Sequence, residues 1–174
     1  MGYLRGSPKS PNKQSAGILL FRRTHGGIEV LLAHPGGPYW ARKDEHSWSI
    51  PKGEFEAEDA LEAAKREFGE ETGGTITGDV MALSPVKQKG GKVVHAFAVE
   101  QDFDPAGLTS NTFAMEWPPK SGRVAQYPEI DRAAWFTPDV ARAKMMAGQV
   151  PLLDELLALL SPATEVPAPS SDDA

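Results

Sequence analysis

Residues 51–73 read PKGEFEAEDALEAAKREFGEETG, and the reading of this stretch decides the fold. It divides into a tight loop ending at Gly53, a helix predicted over 58–72, and a stop at Gly73-Gly74, where a helix C-terminus favours glycine. Ala60, Leu61, Glu62, Ala63, Ala64, Lys65 and Arg66 are strong helix formers. Glu58 and Asp59 fall in the first turn, where carboxylates suit the helix dipole. At about 100° per residue, Leu61, Ala64, Phe68 and Thr72 form one apolar stripe, while Glu67, Glu70 and Glu71 crowd the neighbouring arc.

That crowding is unfavourable by itself. Glu67 with Glu71 and Glu67 with Glu70 are like-charge pairs one turn apart, each costing roughly 0.2–0.5 kcal/mol on an isolated helix. Lys65 and Arg66 relieve part of this. A divalent cation reverses the sign of the argument, because magnesium takes oxygen ligands and bridges a few carboxylates to substrate phosphates.

Gly53, Glu58 and the run Arg66-Glu67-Phe68-Gly69-Glu70-Glu71-Thr72-Gly73 resemble the signature of the Nudix hydrolases. In that signature a glycine, five residues, a glutamate and seven residues precede Arg-Glu, an apolar residue, any residue, Glu-Glu, any residue, Gly and an apolar residue. Two positions depart from it: only Glu54 to Ala57 separate Gly53 from Glu58, and Gly74 holds the final apolar place. The first departure implies either a tighter loop or an alignment in which Asp59 takes the glutamate's place.

The resemblance implies an α/β chain with the Nudix fold, an α/β/α sandwich around a mixed sheet, over residues 14–161. It implies divalent-metal-dependent hydrolysis of a phosphoanhydride in a nucleoside diphosphate linked to another group, with a dinucleoside polyphosphate as the substrate the sequence leans towards. Mg²⁺ or Mn²⁺ would be held by Glu67, Glu70, Glu71 and the carbonyl of Gly53. Arg66 would orient the carboxylates, being four residues from both Glu62 and Glu70. Glu129 matches the placement of a further catalytic glutamate, and the general base would come from Glu70, Glu71 or Glu129. Pyrophosphohydrolases acting on oxidised nucleotides, NDP-sugars, RNA 5′ ends or diphosphoinositol compounds share the same helix. A non-catalytic nucleotide sensor also uses this scaffold, but a pure binder has no need to retain like charges on one face.

Composition agrees. A chain of 174 residues with 40% apolar content and four Trp suffices for one domain with a substantial core. The absence of cysteine excludes disulfides and thiolate metal sites, and fits a cytoplasmic location. No apolar run has the length of a membrane span and no signal peptide opens the chain, so no membrane partner is expected. Gly6 stands where myristoylation wants Ser or Thr. A net charge of −6 argues against DNA binding, and the expected partner is a small nucleotide or polyphosphate. Nothing in the sequence fixes an oligomeric state.

Along the chain, residues 1–13 are expected to be flexible, and 15–21 (SAGILLF) and 29–33 (EVLLA) to pair across a turn at His25-Gly26-Gly27. The Gly- and Pro-rich stretch 34–47 reads as a long loop. In it, Tyr39 and Trp40 are candidates to stack on a nucleobase, and Arg42 and Lys43 to meet phosphates. Lys52, beside Gly53, is a further phosphate-binding candidate. Strands are predicted over 75–83 and 92–100 with a turn at 87–91, and His95 is read as structural. The four histidines show no zinc spacing. The segment from Asn111 opens strand-like, breaks at Pro118-Pro119, passes through a loop containing Gly122 and closes strand-like at 133–136, and it carries Glu116 and Glu129. Helices follow, at 138–146 after Thr137 as cap and at 151–160 with Leu152, Leu153, Leu156, Leu157 and Leu160 on one face. Residues 162–174 read as a disordered acidic tail.

Overall fold

A run such as SAGILLF has no polar face, so it suits a strand covered on both sides. The computed structural model describes residues 13–161, and there this run forms most of β1 (Gln14–Thr24), at the centre of a mixed sheet. The expected flexible N-terminal segment, apart from Lys13, and the expected acidic tail lie outside the described residues.

One edge of β1 pairs in parallel with β6 (Val93–Glu100), from Gln14↔Val93 to Phe21↔Glu100. The other edge is shared. β2 (Gly27–Pro35) runs antiparallel to it only from Phe21↔Val30 to Thr24↔Gly27, and β3 (Lys52–Phe55) takes Gln14 to Gly17. Beyond Val30, β2 therefore diverges from β1. The segment leading into β3 enters the gap, touching β2 at an Ala33↔Ser49 bridge. This split delivers Gly53 to the middle of the molecule. β9 (Ile130–Phe136) extends the sheet beyond β2, and β4 (Val80–Ala82) and β5 (Val86–Lys87) pair with β6. β7 (Thr112–Glu116) and β8 (Val124–Pro128) form a separate antiparallel hairpin.

Alternate residues of β1 serve two cores. Ala16, Ile18 and Leu20 pack under α1 (Ala60–Thr72), against Ala63, Ala64 and Phe68. Leu19 and Phe21 face the opposite layer, α2 (Pro138–Lys144) and α3 (Val150–Leu160), where Leu152, Leu153 and Leu156 are fully buried. The expected α/β/α sandwich is what forms. Burying each such leucine or phenylalanine contributes about 1.5–3 kcal/mol. Gln149, just before α3, is buried too; its amide accepts from Ile50 N–H at 3.0 Å and donates to Ser49 Oγ at 2.9 Å. It thereby ties α3 to the segment that enters the sheet.

Several expectations are corrected. α1 starts at Ala60 rather than residue 58, because Asp59 caps it, accepting from Glu62 N–H at 3.3 Å. The strand expected over 75–83 contracts to Val80–Ala82. Gln101 Oε1 accepts from the N–H groups of Thr77 and Gly78, and its Nε2 donates to the Thr75 carbonyl, so a side chain satisfies backbone groups that a ladder would use. Val86–Lys87 pairs with β6, which narrows the turn read at 87–91. The helix after Thr137 ends at Lys144, since Trp48 N–H donates to the Lys144 carbonyl and Met146 N–H to that of Trp48. The Thr137 side chain makes no capping bond. Within α3, Leu157 and Leu160 are only partly buried. β8 was hidden in a stretch read as loop.

Candidate active site

The apolar stripe of α1 fixes which side of the helix faces the sheet, and the glutamates follow at the edge of that stripe. Glu67 is 9% exposed, and Glu70 and Glu71 are half-buried. Gly53 lies directly against Glu67: a Cβ at position 53 would stand 2.0 Å from Glu67 Cδ. Only glycine lets the β3 backbone approach that carboxylate so closely.

Arg66 organises the acidic face. Its Nη2 and Nε donate to the two oxygens of Glu58 at 2.6 and 3.1 Å, and its Nη1 donates to Glu67 Oε1 at 2.8 Å and Glu70 Oε1 at 3.2 Å. The bidentate pair with Glu58, and then the bonds to Glu70 and Glu67, hold the guanidinium well above its ordinary range. Glu58 in turn is held below the usual carboxylate range by Arg66. Glu58 thus pairs with Arg66 in spite of the shortened spacing from Gly53. The partners of Arg66 are Glu58, Glu67 and Glu70, and Glu62 is not among them.

Glu71 is the group whose charge the fold resists most. Burial pushes its carboxyl up to about 8; the Lys52 N–H, which donates to Oε2 at 3.1 Å, and the Lys52 ammonium oppose this, while Glu67 and Glu129 add to it. Burial also raises Glu67, against the pull of Arg66, and lowers Lys52, against the pull of Glu71.

Glu129 comes from the far end of the chain. Asn111 N–H donates to the Glu70 carbonyl at 3.0 Å, Glu129 N–H to that of Asn111 at 2.8 Å, and Gly36 N–H to that of Glu129 at 2.8 Å. This succession of backbone bonds ties the last turn of α1 to Glu129 and to the loop after β2. Gly36 permits it, because a Cβ there would lie 1.9 Å from the Pro128 carbonyl oxygen.

Glu71 and Glu129 both open onto a cleft of about 510 Å³. Tyr39 and Trp40 form one wall, and Phe113 and Met115 of β7 also line it. The two loop rings meet edge to face at 5.1 Å, and Lys43 Nζ lies 3.6 Å from the Tyr39 ring centre. Cation–π contacts of this kind contribute about 0.5–1 kcal/mol when exposed. Lys43 is therefore engaged with the aromatic wall, and Arg42 is exposed and outside the cleft lining. Phe113 and Met115 escaped the sequence reading, although the alternation of TFAME places them on one face.

The donor set fits a hard divalent cation. Glu67, Glu70 and Glu71 offer carboxylate oxygens beside the Gly53 backbone, and the raised Glu67 and Glu71 carboxyls are those a cation would relieve. Among the described residues, no three His, Cys, Asp or Glu side chains already stand close enough together to hold a metal ion.

The fold has known relatives. A family model described as NUDIX domain matches residues 11–156. The fold is similar to that of an Ap4A hydrolase from C. elegans, at TM-score 0.58 and 20% identity, covering 84% of this chain and 97% of that one. It is likewise similar to the NUDIX domain of Shewanella oneidensis NrtR complexed with ADP ribose, at TM-score 0.59 and 14% identity, covering 86% and 89%. The E. coli ORF135 protein aligns at TM-score 0.54 and 20% identity over 91% and 99%. No curated protein sequence matches the chain.

Proposed function

This chain belongs to the Nudix family, whose domain it matches over residues 11–156, and on that premise we propose that it hydrolyses a phosphoanhydride bond of a nucleoside diphosphate derivative in the cleft between α1 and the loop after β2. The enzyme class is that of the Nudix pyrophosphohydrolases. The observation that carries the proposal for the site is the meeting of Glu71 and Glu129 in a cleft walled by Tyr39, Trp40 and Phe113. Carboxylates and flat rings lining one cleft suit a nucleotide, with its phosphates towards the glutamates and its base towards the rings.

A divalent cation, Mg²⁺ or Mn²⁺, held by Glu67, Glu70, Glu71 and the Gly53 carbonyl would neutralise phosphate oxygens and acidify water. The chain's own residues do the rest. Arg66 spreads one fixed positive charge over Glu58, Glu67 and Glu70 and so holds these carboxylates in place. The Lys52 backbone holds one oxygen of Glu71, and its ammonium, outside the cleft lining, is a candidate to meet a phosphate. Glu129 has no assigned place among the cation's ligands and is free to take the proton from the attacking water. Among nucleoside diphosphate derivatives, dinucleoside polyphosphates are favoured by the Pro51-Lys52-Gly53 sequence and the placement of Glu129.

The test is a product screen over diadenosine polyphosphates, ADP-ribose, NDP-sugars, oxidised dNTPs and capped RNA, with Mg²⁺ or with EDTA. Magnesium-dependent release of a nucleotide, fastest from the dinucleoside polyphosphates, is expected. Absence of metal-dependent turnover across the panel would overturn the proposal.

A further inference from the structure

His34 lies at the end of β2, fully buried, on the face of the sheet opposite α1 and outside the cleft lining. Both of its ring nitrogens face oxygen acceptors. Nδ1 is 2.8 Å from Asp131 Oδ1, and Nε2 is 2.6 Å from the Lys43 carbonyl oxygen. A carbonyl oxygen only accepts, as does an ionised carboxylate, whereas a neutral imidazole carries a single N–H. The 2.6 Å contact with the Lys43 carbonyl, which can only accept, places an N–H on Nε2.

The backbone is arranged to make this contact. β2 and β9 pair regularly from Val30↔Phe136 to His34↔Arg132, but the next pair is Pro35↔Ile130, so Asp131 has no partner across the ladder. A bulge of this kind re-aims a side chain, and the one re-aimed is the His34 partner. Trp48 packs edge to face on the imidazole at 5.1 Å and donates its Nε1–H to Asp44. The charged groups around the ring are therefore Asp131 and Arg132 from β9, and Lys43 and Asp44 from the loop.

At the other end of the contact is the cleft wall. Lys43 N–H donates to the Trp40 carbonyl at 2.9 Å, and its ammonium lies over Tyr39. A bond to the Lys43 carbonyl thus holds the residue that holds both rings. We propose that His34 is a positioning residue whose imidazole, set between Asp131 of β9 and the Lys43 carbonyl, clamps the 36–47 loop and so fixes the Tyr39 and Trp40 wall of the cleft. The proposal rests on the nucleotide reading of that cleft for its kinetic consequence, and on the ring geometry alone for the clamp.

Two readouts test it separately. ¹⁵N NMR of the imidazole in the full chain should show a proton on Nε2, held by the Lys43 carbonyl. A bare Nε2 would overturn the clamp, whatever the enzyme does. His34→Asn keeps a short amide near Asp131 and loses reach to Lys43. It should raise KM for the preferred nucleotide substrate about tenfold, with kcat within about twofold, as the loss of one hydrogen bond to a binding wall predicts. Asp131→Ala should reproduce the effect, and the double variant should add little to either. Amide resonances of residues 39–43 should shift in these variants while those of α1 stay. An unchanged KM, or kcat falling in step with folded fraction, would reduce His34 to a structural residue. If the wild-type chain turns over no nucleotide, the functional reading fails and the NMR result still decides the clamp.

Discussion

Glu71→Gln should make the metal-free protein more stable while removing its activity. In the folded chain Glu71 keeps its proton up to about pH 8, against an ordinary carboxyl value of 4.5. Between those two values the folded state binds more protons than the unfolded state, so this group makes stability fall as pH rises. At about 1.4 kcal/mol per tenfold the full difference approaches about 5 kcal/mol. Glu71 is only half-buried, and solvent screening brings the expected effect to about 2 kcal/mol. Glutamine keeps an oxygen for the Lys52 N–H and carries no charge. Urea denaturation in EDTA at pH 5 and pH 9 should show the two proteins nearly equal at the lower pH and Glu71→Gln ahead by about 2 kcal/mol at the higher. Added Mg²⁺ should return stability to the wild type in proportion to its binding, and much less to the variant. A gap that is the same at both pH values, or that favours the wild type at pH 9 in EDTA, would refute the reasoning.

Gly53→Ala puts a methyl group where the Glu67 carboxylate stands, and turnover should fall about 100-fold with the fold retained by circular dichroism. Arg66→Lys keeps the charge but cannot form the two-pronged pair with Glu58 while reaching Glu67 and Glu70; steady-state assays should show activity lower by about 10- to 100-fold. Gln149→Ala leaves the buried Ile50 N–H and Ser49 hydroxyl short of partners and should cost about 2–3 kcal/mol in urea denaturation. Trp40→Ala should raise KM and spare kcat, and an unchanged KM would move base stacking elsewhere in the cleft.

What the sequence made legible was local. The α1 helix, its Gly73 stop and its acidic arc follow from propensity, spacing and capping within one stretch. β1 was legible because both its faces are apolar. The contraction of the 75–83 strand was not, because the competing hydrogen bonds come from Gln101, more than twenty residues away. Glu129 was singled out by resemblance alone. Its position depends on the backbone bonds through Asn111 and Gly36, which leave no mark on side-chain pattern. His34 lay in a stretch read as loop, and its role depends on a register break in β9, a strand almost one hundred residues distant. Arg42 and Lys43 were equivalent in sequence; packing sent Lys43 to the Tyr39 ring and left Arg42 outside the cleft.

The central claim is that the carboxylates at the C-terminal half of α1, facing Glu129, carry metal-dependent hydrolysis of a nucleoside diphosphate derivative. The most direct measurement is the rate of nucleotide release from diadenosine tetraphosphate and ADP-ribose against Mg²⁺ concentration, for the wild type and Glu71→Gln side by side. The account predicts turnover that saturates with Mg²⁺ in the wild type and is lower by about 10²–10³-fold in the variant at every concentration. Turnover that ignores Mg²⁺, or a variant matching the wild type, would contradict it.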